Sequence, residues 1–159
     1  MGLFDAFKKQ KAPFVAWENG KVVAMKDVED ETFSQEILGP GVAIEPSEGV
    51  VCAPCDGEIT LVADTKHAVS ITAKNGAEIL IHIGIDTVEL NGECFTAHAK
   101  TGDSVKAGDK LIEFDMAAIK EKGYKLTTPL IICNKDEFST IETLASGDVK
   151  IGDEILKAE

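Results

Sequence analysis

His67-Ala-Val-Ser-Ile-Thr-Ala-Lys-Asn75-Gly76-Ala-Glu-Ile-Leu-Ile-His82-Ile-Gly84-Ile-Asp86-Thr-Val88 reads as a β-hairpin. Asn-Gly between two runs rich in β-branched residues is the strongest short hairpin signal, because a type I′ turn needs positive φ at both central residues. With Asn75 and Gly76 as a two-residue loop, Thr72 faces Ile79, Ile71 faces Leu80, Val69 faces His82 and His67 faces Gly84. Side chains alternate between the two faces of a strand. Ile79, Ile81, Ile83 and Ile85 therefore share a core face, and Leu80, His82, Gly84 and Asp86 take the other. Cross-strand partners share a face, so His67 joins His82 in the company of Val69, Ile71 and Leu80. The two histidines are diagonal neighbours, with backbones roughly 7–8 Å apart.

Two imidazoles on one apolar face carry a chemical implication. Imidazole titrates near neutrality, so a neutral ring is available as nucleophile or metal ligand. Apolar surroundings favour that neutral form and keep water from a reactive adduct. Gly84, with no side chain, leaves room beside His82. The combination suits covalent phosphoryl transfer better than general base catalysis.

Outward from the hairpin, short alternating apolar segments punctuated by glycine continue along the chain. Gly20-Lys-Val-Val-Ala24, Gly57-Glu-Ile-Thr-Leu-Val62 and Lys110-Leu-Ile-Glu-Phe114 are examples. This spacing predicts an all-β fold, an antiparallel sandwich or barrel, with short helices over Glu31–Leu38 and Met116–Lys122. Asp115 would cap the second helix and Gly123 would stop it. The chain also echoes itself. Val105-Lys-Ala-Gly-Asp-Lys-Leu-Ile112 recurs as Val149-Lys-Ile-Gly-Asp-Glu-Ile-Leu156, and Ala16-Trp-Glu-Asn-Gly-Lys-Val22 resembles Ala53-Pro-Cys-Asp-Gly-Glu-Ile59. A sandwich built from two related halves is expected.

The chain has 159 residues, 44% of them hydrophobic, enough for one packed domain spanning residues 14–159. Sixteen basic residues against 28 acidic ones give a formal charge of −12. That balance argues against nucleic acid, which requires a basic surface to displace counterions. With no apolar signal core at the start, and no run long enough to span a bilayer, a reduced cytoplasmic protein is expected. The segment 1–13 differs. Leu3, Phe4 and Phe7 lie at helical spacing beside Lys8, Lys9 and Lys11, as in a flexible tail that rests on an anionic membrane surface.

Gly76-Ala-Glu-Ile-Leu-Ile-His82-Ile-Gly-Ile-Asp-Thr-Val88 resembles the phosphorylation-site signature of glucose-type enzyme IIA. That family serves the bacterial phosphoenolpyruvate-dependent sugar phosphotransferase system. The likeness extends to Gly41-Val-Ala-Ile-Glu-Pro46, Ala53-Pro-Cys-Asp-Gly57 and Thr128-Pro-Leu-Ile131, and to the start, Met1-Gly-Leu-Phe-Asp5. The resemblance implies that His82 accepts a phosphoryl group from the carrier HPr and passes it to a cysteine of a IIB domain. His67 would steady the phosphate, Thr65 would orient His67, and the Gly84 carbonyl would hold Nδ1–H of His82. Asp30 and Asp86 match acidic residues flanking the site. Phe33, with Leu80 and Val69, would form an apolar rim for docking partners. The resemblance implies neither metal nor cofactor, and allows regulatory binding of other proteins. The chain departs from the family at Trp17, where proline is usual, and at Cys52 and Cys55.

Rival readings are weaker. A lysostaphin-type zinc peptidase needs His-x-His and an Asp four residues after the first histidine, where this chain has Gly84 and Ile71. Two histidines fall short of the three protein ligands a catalytic zinc needs. Ala24-Met25-Lys26 echoes the attachment site of biotinyl and lipoyl carriers over three residues only, and Asp27 follows where an apolar residue is usual. Cys52-x-x-Cys55 lacks a second pair at ligand spacing. Cys94 and Cys133 are isolated, and His98 has no partner by register.

Overall fold

A computed structural model describes residues 13–159, and the membrane-facing tail expected at the N-terminus lies outside the described residues. The described residues form fourteen strands, all paired antiparallel, two short α-helices and three 3₁₀ turns. Eight strands form one sheet: β2 (Gly20–Ala24), β3 (Gly41–Pro46), β5 (Gly57–Val62), β6 (Ala68–Ala73), β7 (Glu78–His82), β9 (Ser104–Val105), β11 (Thr128–Ile132) and β13 (Asp148–Val149). Their spatial order is β13-β2-β3-β11-β7-β6-β5-β9. Two three-stranded sheets complete the molecule. One joins β4 (Val50–Cys52), β10 (Lys110–Phe114) and β8 (Phe95–Ala97); the other joins β1 (Phe14–Val15), β14 (Glu154–Ala158) and β12 (Ile141–Thr143).

Alternation sorts the central strands into two apolar layers. Val42 and Ile44 of β3, Ile79 and Ile81 of β7, and Leu130 and Ile132 of β11 enter the main core. Ala43, Ile131 and the half-buried Leu80 point the opposite way, into a second cluster with Met25, Val28, Phe33 and Ile85. All five residues of β11 are buried, as expected for a strand covered on both faces. Each fully buried isoleucine contributes roughly 1.5–3 kcal/mol of transfer free energy. The candidate site stands on the second, smaller layer.

The two sequence echoes fold into equivalent junctions. Ala16 N–H donates to the Asp153 carbonyl at 2.7 Å, and Ala53 N–H donates to the Asp109 carbonyl at 2.8 Å. The side chain of Asn19 accepts from Ile151 N–H at 2.8 Å, and that of Asp56 from Ala107 N–H at 2.9 Å. Within each turn, Asp153 and Asp109 accept from Lys150 and Lys106 N–H. Position 19/56 needs only an acceptor oxygen, so Asn and Asp serve alike. The two-halves expectation has a hydrogen-bonding basis.

The hairpin corrects the expected register by one residue. Lys74, Asn75 and Gly76 form a three-residue loop, closed by Ala73 N–H to the Ala77 carbonyl at 2.8 Å. Gly76 alone of the three has positive φ, +88°, which is the type I turn followed by a left-handed residue rather than a type I′ turn. Asn75 caps the loop by accepting from Ala77 N–H at 3.0 Å. The pairs are therefore Ala68 with His82, Val69 with Ile81, Ser70 with Leu80 and Ile71 with Ile79. A one-residue slip exchanges faces. Val69 and Ile71, expected beside the histidines, lie instead in the main core at 1% exposure each.

Both helices end earlier than the sequence pattern suggests, by the same device. The first, α1, spans Glu31–Ser34. Glu36 takes φ +55°, its N–H bonds the Phe33 carbonyl and Ile37 N–H bonds the Thr32 carbonyl, a Schellman closure. Helix α2, Met116–Glu121, closes likewise through Gly123 and is capped by Asp115, whose carboxylate accepts from Ala118 N–H at 3.1 Å.

Candidate functional site

Two backbone departures from strand geometry build the site. The β5–β6 loop contains Lys66 at φ +60°, which releases His67 from the alternation of β6. After β7, Gly84 turns to φ +78° and Asp86 to φ +61°. That turn carries Ile85 out of the isoleucine face and into the second apolar cluster, whereas Ile83 stays in the main core. The expected four-isoleucine face is thus three isoleucines long. Ile83 N–H donates to the His67 carbonyl at 2.7 Å and ties the two departing segments together.

His67 and His82 meet edge to face, with ring centroids 4.7 Å apart and planes at 82°. His67 is 8% exposed, whereas His82 is partly open to solvent. Nδ1 of His82 lies 2.8 Å from the Gly84 carbonyl oxygen. A carbonyl only accepts, so Nδ1 carries the proton and the neutral ring leaves Nε2 with its lone pair free. Thr65 Oγ1 lies 2.6 Å from Nδ1 of His67. Phe33 packs against His82 at 5.1 Å between centroids, tilted by 56°.

Gly84 is required for a different reason from the one its sequence position suggests. A Cβ there would sit 2.6 Å from Cγ2 of Thr87 and 2.7 Å from the Lys125 carbonyl. The missing side chain makes room for the packed turn, not for a group over His82.

Burial dominates the titration of both rings. His67 falls to about 4, chiefly through desolvation and secondarily through the neighbouring charge of His82. His82 is also lowered by burial, against opposing contributions from the Gly84 carbonyl, Asp30 and Asp86. Both shifts favour the neutral imidazole at pH 7.

Asp30 caps α1, accepting from Thr32 N–H at 2.8 Å, and Asp86 is exposed at the start of the 3₁₀ turn Thr87–Leu90. Phe33, at 5% exposure, is a wall of the site rather than an exposed rim. Leu80 is half-buried on the histidine side of the sheet. Val69, expected at the rim, cannot touch a partner from inside the core. Reading Glu31–Leu38 as one continuous helix hid Ile37 and Leu38, which the Schellman closure leaves 66% and 42% exposed. Val88, 47% exposed, follows Asp86. The left-handed Glu36 carried no glycine to announce it.

Other features singled out by sequence lie apart from this chemistry. All four cysteines are free. Burial pushes the Cys55 thiol up to about 12, with Asp56 adding to it, and raises Cys52 as well. Lys26 sits exposed in a single 3₁₀ turn at the end of β2. His98 Nε2 pairs with Glu113 at 2.5 Å on the surface. No group of three or more His, Cys, Asp or Glu is placed to hold a metal ion among the described residues, and no helix there is long and apolar enough to cross a membrane.

Comparison with known proteins gives this geometry its context. Residues 13–138 match the family model of the phosphoenolpyruvate-dependent sugar phosphotransferase system, EIIA 1. The chain is 48% identical over 139 residues to the glucose-specific EIIA component of Oceanobacillus iheyensis, covering 87% of this chain and 84% of that one. It is 52% identical over 120 residues to a β-glucoside-specific EIIBCA component of Bacillus subtilis, covering 76% of this chain and 20% of that longer protein. The solved glucose permease IIA of Mycoplasma capricolum superposes with a TM-score of 0.85 at 35% identity, covering 93% of this chain and 95% of that one. With its β-rich fold and a family match running through the histidine hairpin, the chain belongs to the EIIA 1 family of the phosphoenolpyruvate-dependent sugar phosphotransferase system.

Proposed function

We propose that this protein relays a phosphoryl group through Nε2 of His82, from the phosphohistidine of HPr to a cysteine of a sugar permease IIB domain. The observation that carries the reading is the 2.8 Å contact between His82 Nδ1 and the Gly84 carbonyl. It fixes which nitrogen holds the proton and leaves the other free to attack. In the first step the bond from phosphorus to the HPr imidazole breaks as the bond to Nε2 forms. In the second, the P–Nε2 bond breaks as a P–S bond forms on the IIB thiolate. Transfers of this kind depend on alignment and charge stabilisation more than on covalent assistance.

His67 supplies the stabilisation. Its Nδ1 lies 2.6 Å from the Thr65 hydroxyl; with that hydroxyl assigned as donor, Nε2 carries a proton that can be offered to a phosphate oxygen. Phe33 and Leu80 form the apolar floor, and Ile37, Leu38 and Val88 offer exposed apolar contact nearby in the chain. The names of the relatives support a permease of the glucose or β-glucoside class as acceptor. The same apolar face suits regulatory targets, since phosphorylation adds charge that opposes apolar docking.

Incubation with phosphoenolpyruvate, enzyme I and HPr, followed by phosphohistidine mapping, tests the relay. Label on Nε2 of His82, absent from His82→Ala, is the expected result. Label retained by His82→Ala would overturn it.

A further inference from the structure

We propose that Thr87 is a positioning residue for the phosphoryl acceptor, acting on His82 through the backbone of the Ile83–Asp86 turn. The inference rests on the reading of His82 as that acceptor. Thr87 is completely buried, and its hydroxyl donates to the carbonyl of Ile83, four residues earlier. No backbone N–H among the described residues donates to that carbonyl. Ile83 is itself fully buried, so without the hydroxyl its carbonyl would be an unsatisfied acceptor, an arrangement proteins avoid.

Two successive carbonyls thus have separate, assigned partners. That of Ile83 is held by Thr87 and that of Gly84 by Nδ1–H of His82. Ile83 N–H bonds the His67 carbonyl before the turn, and Ile85 N–H, in the same peptide unit as the Gly84 carbonyl, bonds the Lys125 carbonyl at 3.0 Å. Gly84, with its freedom at positive φ, is the weakest point of such a turn. The methyl of Thr87 closes on Gly84 from the side where a Cβ would point. One residue therefore packs against the glycine and pins the preceding peptide, which sets the direction of the Gly84 carbonyl. Loss of the hydroxyl frees the Ile83–Gly84 peptide to rotate, which leaves Ile85 N–H as the remaining hold on the Gly84 carbonyl and loosens the contact that keeps the His82 proton on Nδ1.

The variant Thr87→Val keeps shape and removes the hydroxyl, Thr87→Ser keeps the hydroxyl, and Thr87→Ala is a second hydroxyl-free form. Nitrogen-15 NMR of the His82 ring reads the tautomer directly, independently of any phosphorylation assay. In the unmodified protein His82 is expected as the Nδ1–H tautomer, whatever the outcome of phosphorylation mapping. Thr87→Val or Thr87→Ala should show a mixed tautomer and accept phosphoryl groups from phospho-HPr about tenfold more slowly, the effect of one net hydrogen bond. Thr87→Ser should restore both. An unchanged Nδ1–H tautomer in a folded hydroxyl-free variant would overturn the proposal, as would a Thr87→Ser protein with the mixed tautomer. Absence of label from His82 in the unmodified protein would instead overturn the relay itself.

Discussion

Gly84 holds His82 from two residues further along the chain, through a carbonyl oxygen 2.8 Å from Nδ1. The hold exists because the strand stops at His82 and the chain turns to φ +78° at the glycine. A continuing strand would have sent this carbonyl into the sheet ladder.

Gly84→Ala should therefore damage both stability and chemistry. The new methyl would meet Thr87 and the Lys125 carbonyl at under 3 Å, at a φ that side chains disfavour. Such strain costs roughly 1–3 kcal/mol. Urea denaturation should show this loss, and phosphorylation of His82 in the folded fraction should slow.

The two histidines should separate kinetically. His67→Ala leaves Nδ1 of His82 with its Gly84 partner, and Nε2 still free, so charging by phospho-HPr should proceed. Onward transfer to IIB should fall by about 10²-fold or more, the usual scale for removing one preorganised charge-stabilising donor. Single-turnover transfer assays resolve the two steps, and normal onward transfer would refute the role given to His67.

Asp86 stands beside the histidine proposed to receive the phosphoryl group. Its carboxylate favours the protonated His82 imidazole and would repel the phosphoryl group. We expect Asp86→Asn to lengthen the lifetime of the phosphohistidine and slow donation to IIB. Unaltered lifetime and donation rates would remove electrostatic lability as an explanation.

Acid should weaken the fold through the histidines. Their folded pKa values lie below the ordinary 6.5, at about 4 for His67. Between those limits the unfolded chain binds more protons than the folded one, so stability rises with pH across the window from about 4 to about 6.5 and is flat in this term above it. Each histidine contributes at most about 1.4 kcal/mol per pH unit. His67→Asn should reduce the slope of unfolding free energy against pH in that window, measured by urea titration.

Glu18 acts in the opposite direction. It is fully buried, and among the described residues neither carboxylate oxygen has a hydrogen-bond partner. The Thr128 hydroxyl approaches it but gives its proton to the Leu126 carbonyl at 2.9 Å. Burial, with Glu45 adding, raises its pKa well above 4.5. The folded state then holds a proton that the unfolded chain releases, and stability falls as pH rises above about 4.5. Glu18→Leu should stabilise by roughly 1–3 kcal/mol at pH 8, and by less at pH 5. An equal effect at both values would exclude titration of Glu18 as the cause.

How much of this was legible before the fold was seen differs from residue to residue. Strand identity in the hairpin, the isoleucine alternation up to Ile83, the capping of α2 by Asp115 and the matching halves around Asn19 and Asp56 all follow from local rules. Side-chain period, cap chemistry and turn composition act over a few residues, and the sequence displays them. The adjacency of His67 and His82 was also foreseen, but on a register that proved one residue out. Lys66 brings His67 to the right face after all, by a left-handed residue that no glycine announces.

The amino-acid sequence by itself determined that this is a β protein with two halves and a histidine pair at the end of a hairpin. Tertiary structure alone decided the register, because Asn-Gly can close a loop of two or three residues. Here distant groups bear on the choice: Asn75 Nδ2 reaches the Ala158 carbonyl at 3.3 Å, and Asn134 bonds Glu78 N–H and the Gly76 carbonyl. Tertiary structure likewise put Val69 in the core, turned Ile85 to the opposite layer and sealed Glu18 away from water. The physical reason is common to all three. Local sterics fix the period of a strand, but which face is buried, and where a strand ends, is settled by non-local partners that compete for the same backbone and the same apolar surface.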